Sequence, residues 1–581
     1  MRKLWPALVV VVLQPLLAAP DALFVRRAYL DLWGLPPTPE DLAAFQSDSR
    51  PDKREQLVDS LLAHKRNYAE HWISFWNDLL RNDEGVVYHG TRQSISPWLL
   101  QALENNLPYD RFVQALLNPT APTDPAGFLI GVNWRGDINA SKTPVMQAAQ
   151  NSAQVFLGVN LKCNSCHDSF ISRWKLKDAY GLASFFAESE LSIYRCDMPT
   201  GEKSEPRFLF PELGGVAPDA SPADRRAAAA RLFTAPENTR FARTAVNRIW
   251  KRLIGSGLVE PIDEMDNPPR NPELLDRLAS EFVAHNYDLK FLIRRIMTSP
   301  DYQAPSVRRL TAEQFADSIS AITGEWRLLE PVKPGVATPS REWRLKSTPL
   351  TRALGRPIRD QVFTDRNHEA TTLQALELAN GATLSALLHR GARRLLGEMP
   401  PSPQNLFDSG IVRNEKVVVD VDISSAPELR LLIVDADSYD RSRVIASWSD
   451  AKLAGPAGAT PLPGTTNLRV PSELVFPLTG KGYTRLQATL LVDKTSQQTD
   501  INPRVRFFVF DQPPDPERLV RQASGLSGQA RGLSYIYQHT YARNPTPKEL
   551  SIAQEFLASG PEGLEDLLWT LFLSPEFLYL H

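Results

Sequence analysis

Two thiols three positions apart, with an imidazole directly after the second, are the residues in this chain whose types and spacing most plainly suit chemistry. They are Cys163, Cys166 and His167, in the run LKCNSCHDSF over residues 161–170. The chain has 581 residues but only 3 Cys and 9 His. At that composition C-x-x-C-H arises by chance about once in several thousand chains. Thiols at i and i+3 can each form a thioether with a haem vinyl group, and the following imidazole can then ligate the iron. In that reading Cys163 and Cys166 attach a covalent haem c and His167 is the proximal ligand. Two alternatives stay open. Cys163, Cys166 and Cys196 with one histidine would make a three-thiolate zinc site. Cys163 and Cys166 could also form a redox disulfide, although the βαβ setting of a thioredoxin is missing.

For the far side of a haem, Met198 is the first candidate, with Met146, His64, His71 and His89 behind it; an open sixth position is the remaining option. A Met there would raise the potential relative to a His. Val155, Phe156, Leu157 and Val159 are expected to pack near the ring. Trp174, Tyr180, Phe185 and Phe186 are candidates for its other wall, against the plainer reading that they are core. No P-loop, dinucleotide fingerprint, G-x-S-x-G or H-E-x-x-H is present. The carboxylates of DEMD (263–266) could hold a cation or form a solvated loop. The basic face of RTAVNRIWKR (243–252) is expected at the surface or ion-paired with them.

These residues need elements to position them. Residues 2–19 show a basic start, an apolar run over 4–18 and small residues at Ala18 and Ala19, the pattern of an export signal cleaved after Ala18. No later run is long and apolar enough to span a bilayer. The formal net charge of −2 argues against a nucleic-acid partner. Helical spacing of apolar residues dominates 19–195, 236–405 and 515–581. TPEDLAAF carries an N-cap Thr38, a Pro at the first helical position and early acids. Residues 196–235 read as a linker with one Ala-rich helix. Between 406 and 514 the pattern turns to short β-rich runs separated by turn residues, as in an antiparallel β-sandwich. The expected fold class is multi-domain, mainly α with an inserted antiparallel β-sandwich. The echoes LPPTPEDL (35–42) and NPTPKEL (544–550) are read as generic helix starts.

FVRRAYLDLWGLPPTPEDLAAF and VFLGVNLKCNSCHDSFISRWKLKDAYGLASFF resemble the planctomycete-type cytochrome domain, a family of exported bacterial proteins. FARTAVNRIWKRLIGSGLVEPIDEMDNPPRNPELLDRLASEF, LKFLIRRIMTSPDYQ, TLQALELAN and LSPEFLYLH resemble the planctomycete-specific domain that usually follows it. The family often reads C-x-x-C-H-D-H-P-F. Here Ser169 stands in place of the second histidine, while Asp168 is kept, to accept a hydrogen bond or cap the next segment. LRLLIVDADSYDRSRVIASWSDAKLAG and LRVPSELVFPLTGKGYTRLQATLLVD are similar to carbohydrate-binding sandwich modules. That resemblance implies that Trp448 and Tyr439 stack on a sugar and that Asp435, Asp437 and Asp450 accept its hydroxyls; the plainer alternative is a core Trp448 with acids in turns. The motif, the export signal and the resemblance together lead to the expectation of an exported mono-haem protein of the periplasm or cell surface, for electron transfer or haem-dependent redox chemistry with an unidentified redox partner, whose sandwich tethers it to polysaccharide or to a partner protein. A surface carbohydrate-binding scaffold with a structural haem or metal is one alternative; a haem-dependent carbohydrate oxidoreductase is another.

Overall fold

The computed structural model describes residues 20–82, 94–130, 142–217, 219–304, 307–329, 338–367, 369–397, 406–436, 438–498, 500–511 and 532–580. The export signal, His89 and Asp437 lie outside them. The chain is multi-domain, with about 48% helix and 15% antiparallel strand in several sheets. None of the described helices is long and apolar enough to cross a membrane.

The helices begin where the sequence supplies caps. Thr38 accepts from the Asp41 N–H, and Asp41 returns a bond to the Thr38 N–H, starting the helix Pro39–Ser47. The echo at Thr546 and Glu549 does the same for Pro547–Leu557. Both are helix starts, as read from the sequence. Thr143 caps Pro144–Leu157, the helix that leads into the cysteine turn.

One apolar cluster, most of it between Ala22 and Tyr302 with Trp343, Val362, Tyr439 and Ala542 added, takes in both helical segments that flank the expected linker. Within it Tyr109 stacks on Phe241 at 5.0 Å and 6°. The stretch 196–235 is therefore no free linker. Its residues form a strand, Met198–Ser204, and a helix, Pro222–Thr234. Phe208 packs edge-on against Phe233 at 5.2 Å and against Phe185 at 6.5 Å. Three buried aromatic rings tie that stretch to the core. Its Pro, Gly and Ala content hid them.

A second apolar cluster joins helices on both sides of the β-rich region: Phe315, Ile319 and Leu387 meet Tyr537, Leu567 and Phe577. Between them lie two antiparallel sheets. One orders Ser472–Pro477, Glu428–Asp435, Val505–Phe510 and Phe407–Val412. The other orders Gly458–Pro461, Ile445–Gly455, Arg485–Val492 and Val417–Asp422, with Leu468–Arg469 added on Ile445–Gly455. Leu431, Ile433 and Phe507 of the first sheet share one buried cluster with Val419, Trp448 and Leu490 of the second.

Buried arginines connect distant segments. Arg26 donates to the carbonyls of Phe577, Tyr579 and Thr540, and burial pushes its guanidinium pKa down to about 10. Arg359 and Arg366 meet on Asp78, at 2.7 and 2.6 Å, and both reach Glu313. Burial works to raise the Glu313 carboxyl, but Arg366, Arg356 and Arg359 outweigh it and hold it well below the usual range. Asp78→Ala would leave two buried guanidinium groups short of a carboxylate. The expected loss is about 3–5 kcal/mol, read as a lower denaturant midpoint.

His71 is buried under Gly34, where an added Cβ would stand 2.4 Å from its Nδ1. Burial lowers its pKa well below the ordinary value, and the charges of Arg252 and Arg341 add to this. The native imidazole stays neutral, whereas the unfolded one takes a proton below pH ~6.5. Its contribution is thus intact above that pH and lost as pH falls, by about 1.4 kcal/mol per pH unit. Between pH 7.5 and 5.5 the wild type is expected to lose more stability than His71→Gln. Equal losses in urea titrations would refute the assignment.

Candidate functional site

The helix Pro144–Leu157 ends at Gly158, whose φ of +58° is the left-handed conformation a helix C-cap needs. A Cβ at Gly158 would stand 2.3 Å from Met265 Cγ. The Met265 N–H donates to Gly158 O at 3.0 Å, and Val159 bridges to Glu264. The DEMD loop thus seats the chain just before the cysteines. It also holds the chain after them, because the Trp174 indole N–H donates to Asp266 at 2.9 Å. Asp263 pairs with Arg248 at 2.9 Å, and Arg240 pairs with Asp266. These ion pairs match the expected partnership between DEMD and the basic helix, Thr239–Ile254. Burial raises the Glu264 carboxyl, and the neighbouring charges of Asp263 and Asp266 add to it.

Cys163–Ser165 form a single 3-10 turn. The Cys166 and His167 N–H groups both donate back to Cys163 O, at 3.1 and 3.3 Å. The two residues between the cysteines are buried and anchored. Asn164 donates to Trp174 O at 2.6 Å, while Ser165 accepts from Gln150 and donates to Leu161 O at 2.9 Å. With the middle of the turn pinned inward, Cys163 is exposed and Cys166 half-buried, both as free thiols. The His167 Nδ1 lies 2.8 Å from the Asp168 carbonyl oxygen, which fixes Nδ1 as the N–H donor and leaves Nε2 with its lone pair.

Asp168 accepts from the Leu176 N–H at 2.9 Å, at the first residue of the helix Leu176–Ala183. This is the capping role expected of it. Ser169 Oγ accepts from the N–H groups of Ile171 and Ser172. It closes a tight loop that leaves Phe170 and Ile171 90% and 93% exposed.

A hairpin that the sequence reading missed lies against the turn. Leu191–Arg195 pairs with Met198–Ser204, and its tip residue Cys196 has φ +52°. The Cys196 N–H donates to Cys166 O at 2.8 Å. The third cysteine and Met198 are thereby carried to the motif, and Met198 is 72% exposed. Tyr180 accepts from the Tyr194 N–H at 3.2 Å. Burial holds its phenol above the ordinary pKa, the Tyr194 bond opposes this, and the nearby Cys166 adds to the rise. The run SIYRCDMPT offered only a short alternation and an Asp at the turn, too little to announce a hairpin.

Other expectations fall elsewhere. Val155, Phe156, Leu157 and Val159 are core, with Phe156 against Phe128 and Phe233. Trp174, Tyr180, Phe185 and Phe186 are also buried. Met146 is core, and His64 caps Lys65–Leu80 with its ring on Trp33. Trp448 is 0% exposed and packs edge-to-face on Phe507 at 5.2 Å. It is a core residue and offers no face to a sugar. Tyr439 is buried against the helical body, with Arg66 over its ring. Asp435 is buried and accepts from the Ser438 N–H, while Asp450 lies at a residue of positive φ.

The segment bearing this turn has known relatives. Residues 8–191 match PSCyt2, a protein of unknown function (DUF1549). Residues 225–308 match PSD1, a protein of unknown function (DUF1553). This is the planctomycete cytochrome-like domain pair that the motifs resemble. The DEMD loop falls in the PSD1 match and the cysteine turn in the PSCyt2 match. The two are therefore joined at the site itself. No curated protein and no solved structure matches the chain.

Gly158→Ala is expected to disturb both the left-handed cap and the seat of Met265, at a cost of roughly 1–3 kcal/mol. Faster alkylation of Cys163 and Cys166 would report the loosened turn. Unchanged thiol kinetics and stability would rule out the clamp.

Proposed function

We propose that Cys163 and Cys166 attach a haem c whose iron His167 ligates, in an exported protein that carries electrons or supports haem-dependent redox chemistry at the cell envelope. The observation that carries this reading is the division of labour within the turn. Asn164 and Ser165 are anchored inward, and the thiols and the free Nε2 are left for another group. Phe170, Ile171 and Met198 are large apolar side chains in solvent beside it. Together they fit a group that is both covalently held and apolar. When bound, haem c would supply a one-electron couple.

The roles of the chain's own residues follow from their contacts. Cys163 and Cys166 fix the group's position. The Asp168 carbonyl holds the His167 ring orientation. Met198 is the distal candidate, since Cys196 brings its strand against the motif. The zinc alternative has less support: among the described residues, no set of three or more His, Cys, Asp or Glu is gathered for a metal ion. We read the two sheets as a β-sandwich that tethers the protein to a polysaccharide or a partner. Any such contact must use residues other than Trp448 and Tyr439.

Protein made with haem-attachment machinery should show a Soret band and the pyridine haemochrome of thioether-linked haem. Cys163→Ala and Cys166→Ala should each lower covalent haem severalfold, and the double variant should hold none. Met198→Ala should lower the midpoint potential while sparing attachment. Colourless protein with stoichiometric zinc would sink the proposal, as would unchanged haem content in the double variant.

A further inference from the structure

A cavity of about 410 Å³ is walled in part by Ile262, the residue just before the DEMD loop. Six cationic side chains line it: Arg248, Lys251, Arg252, Arg308, Arg309 and Arg366. Among the described residues Asp78 and Asp365 are its only lining carboxylates. Four of the cations are matched. Arg248 has Asp263, Lys251 has Asp365 and Glu260, Arg308 has Asp31, and Arg366 has Asp78 and Glu313. Arg309 is nine-tenths buried, yet it bonds only the Gln374 amide and two carbonyl oxygens, and its Nε has no partner. Among the described residues Arg252 has no side-chain hydrogen bond or ion pair at all. Burial and the charges of Arg366 and Arg308 work against its positive charge, lowering its pKa to about 10.

Asp31 and Glu313 act on Arg252 in the opposite sense, but each is already ion-paired to another arginine, and an arginine in a cavity with no ion pair of its own is electrostatically costly in a folded chain. A bound anion would remove that cost. Guanidinium groups suit oxyanions because their N–H donors match carboxylate, sulfate and phosphate geometry. The volume is several times that of an inorganic oxyanion and falls in the range of small-molecule pockets. Phe75, Phe363 and Ile262 provide apolar wall beside the cations.

We infer that this cavity binds a small organic molecule through its oxyanion, with Arg252 and Arg309 as the receiving pair and Phe75 and Phe363 against its body. The site is separate from the cysteine turn and does not require a haem.

Calorimetric titration of the full chain tests this at constant ionic strength, with sodium glucuronate and glucose 6-sulfate as probes and glucose and sodium chloride as controls. At least one acidic sugar is expected to bind ten or more times tighter than glucose, and the better of the two identifies the preferred headgroup. Arg252→Gln should weaken that binding at least tenfold. Because the Arg252 side chain makes no hydrogen bond or ion pair among the described residues, Arg252→Gln should melt no lower than wild type in chloride buffer. Wild type that binds neither acidic sugar better than glucose would overturn the inference, whatever the variant does. So would equal affinity in Arg252→Gln, or a fall in its ligand-free melting temperature, which would make Arg252 a structural residue.

Discussion

The seat of Met265 on Gly158 is the contact on which the rest of the site depends. A helix must stop there in a left-handed residue, and the opposing side chain leaves no room for a Cβ. From that fixed point the chain has five residues to reach Cys163, and Asp266 then fixes the far side through Trp174. A short 3-10 turn has little stability of its own. Its geometry is borrowed from the helix Thr239–Ile254, whose Arg248 and Arg240 hold the acidic loop in place. The two family-matched segments are therefore halves of one site.

The larger body is held by the same device used repeatedly. Arg26 collects carbonyls near the C-terminus, Arg27 collects those of Tyr302 and Leu253, and Arg248 collects those of Gln154 and Val155. Carbonyls at helix ends and in connecting turns lack intrahelical partners and need donors when buried. Arginine meets several at once because its five N–H groups spread in a plane. Such interiors are only as stable as their pairing is complete, which is why a lone Arg252 stands out.

Much of the fold was legible from the chain alone. The capping threonines at 38, 143 and 546 marked helix starts because the cap is a local hydrogen bond between near neighbours. The alternating runs after residue 406 marked strands because burial on one face imposes a period of two. In the region 196–235 the Ala-rich helix was legible, as Pro222–Thr234, but the strand Met198–Ser204 and the packing were not. The region's role depends on Phe208, Phe210 and Phe233 meeting Phe185, Trp174 and Phe156 outside the stretch. Trp448 was ambiguous for a related reason: an aromatic residue on a strand reads the same whether it faces a core or a ligand.

By itself the sequence determined the chemistry on offer, two thiols and an imidazole at fixed spacing, because that spacing is written in consecutive residues. It also determined the acidic loop and the basic helix, since charge is visible in composition. The tertiary structure decided which of these meet. It set Cys196 and Met198 beside Cys166, turned Asn164 and Ser165 inward, and paired Arg248 with Asp263 while leaving Arg252 alone. Those outcomes depend on packing between residues on different elements, and no local propensity encodes which elements meet.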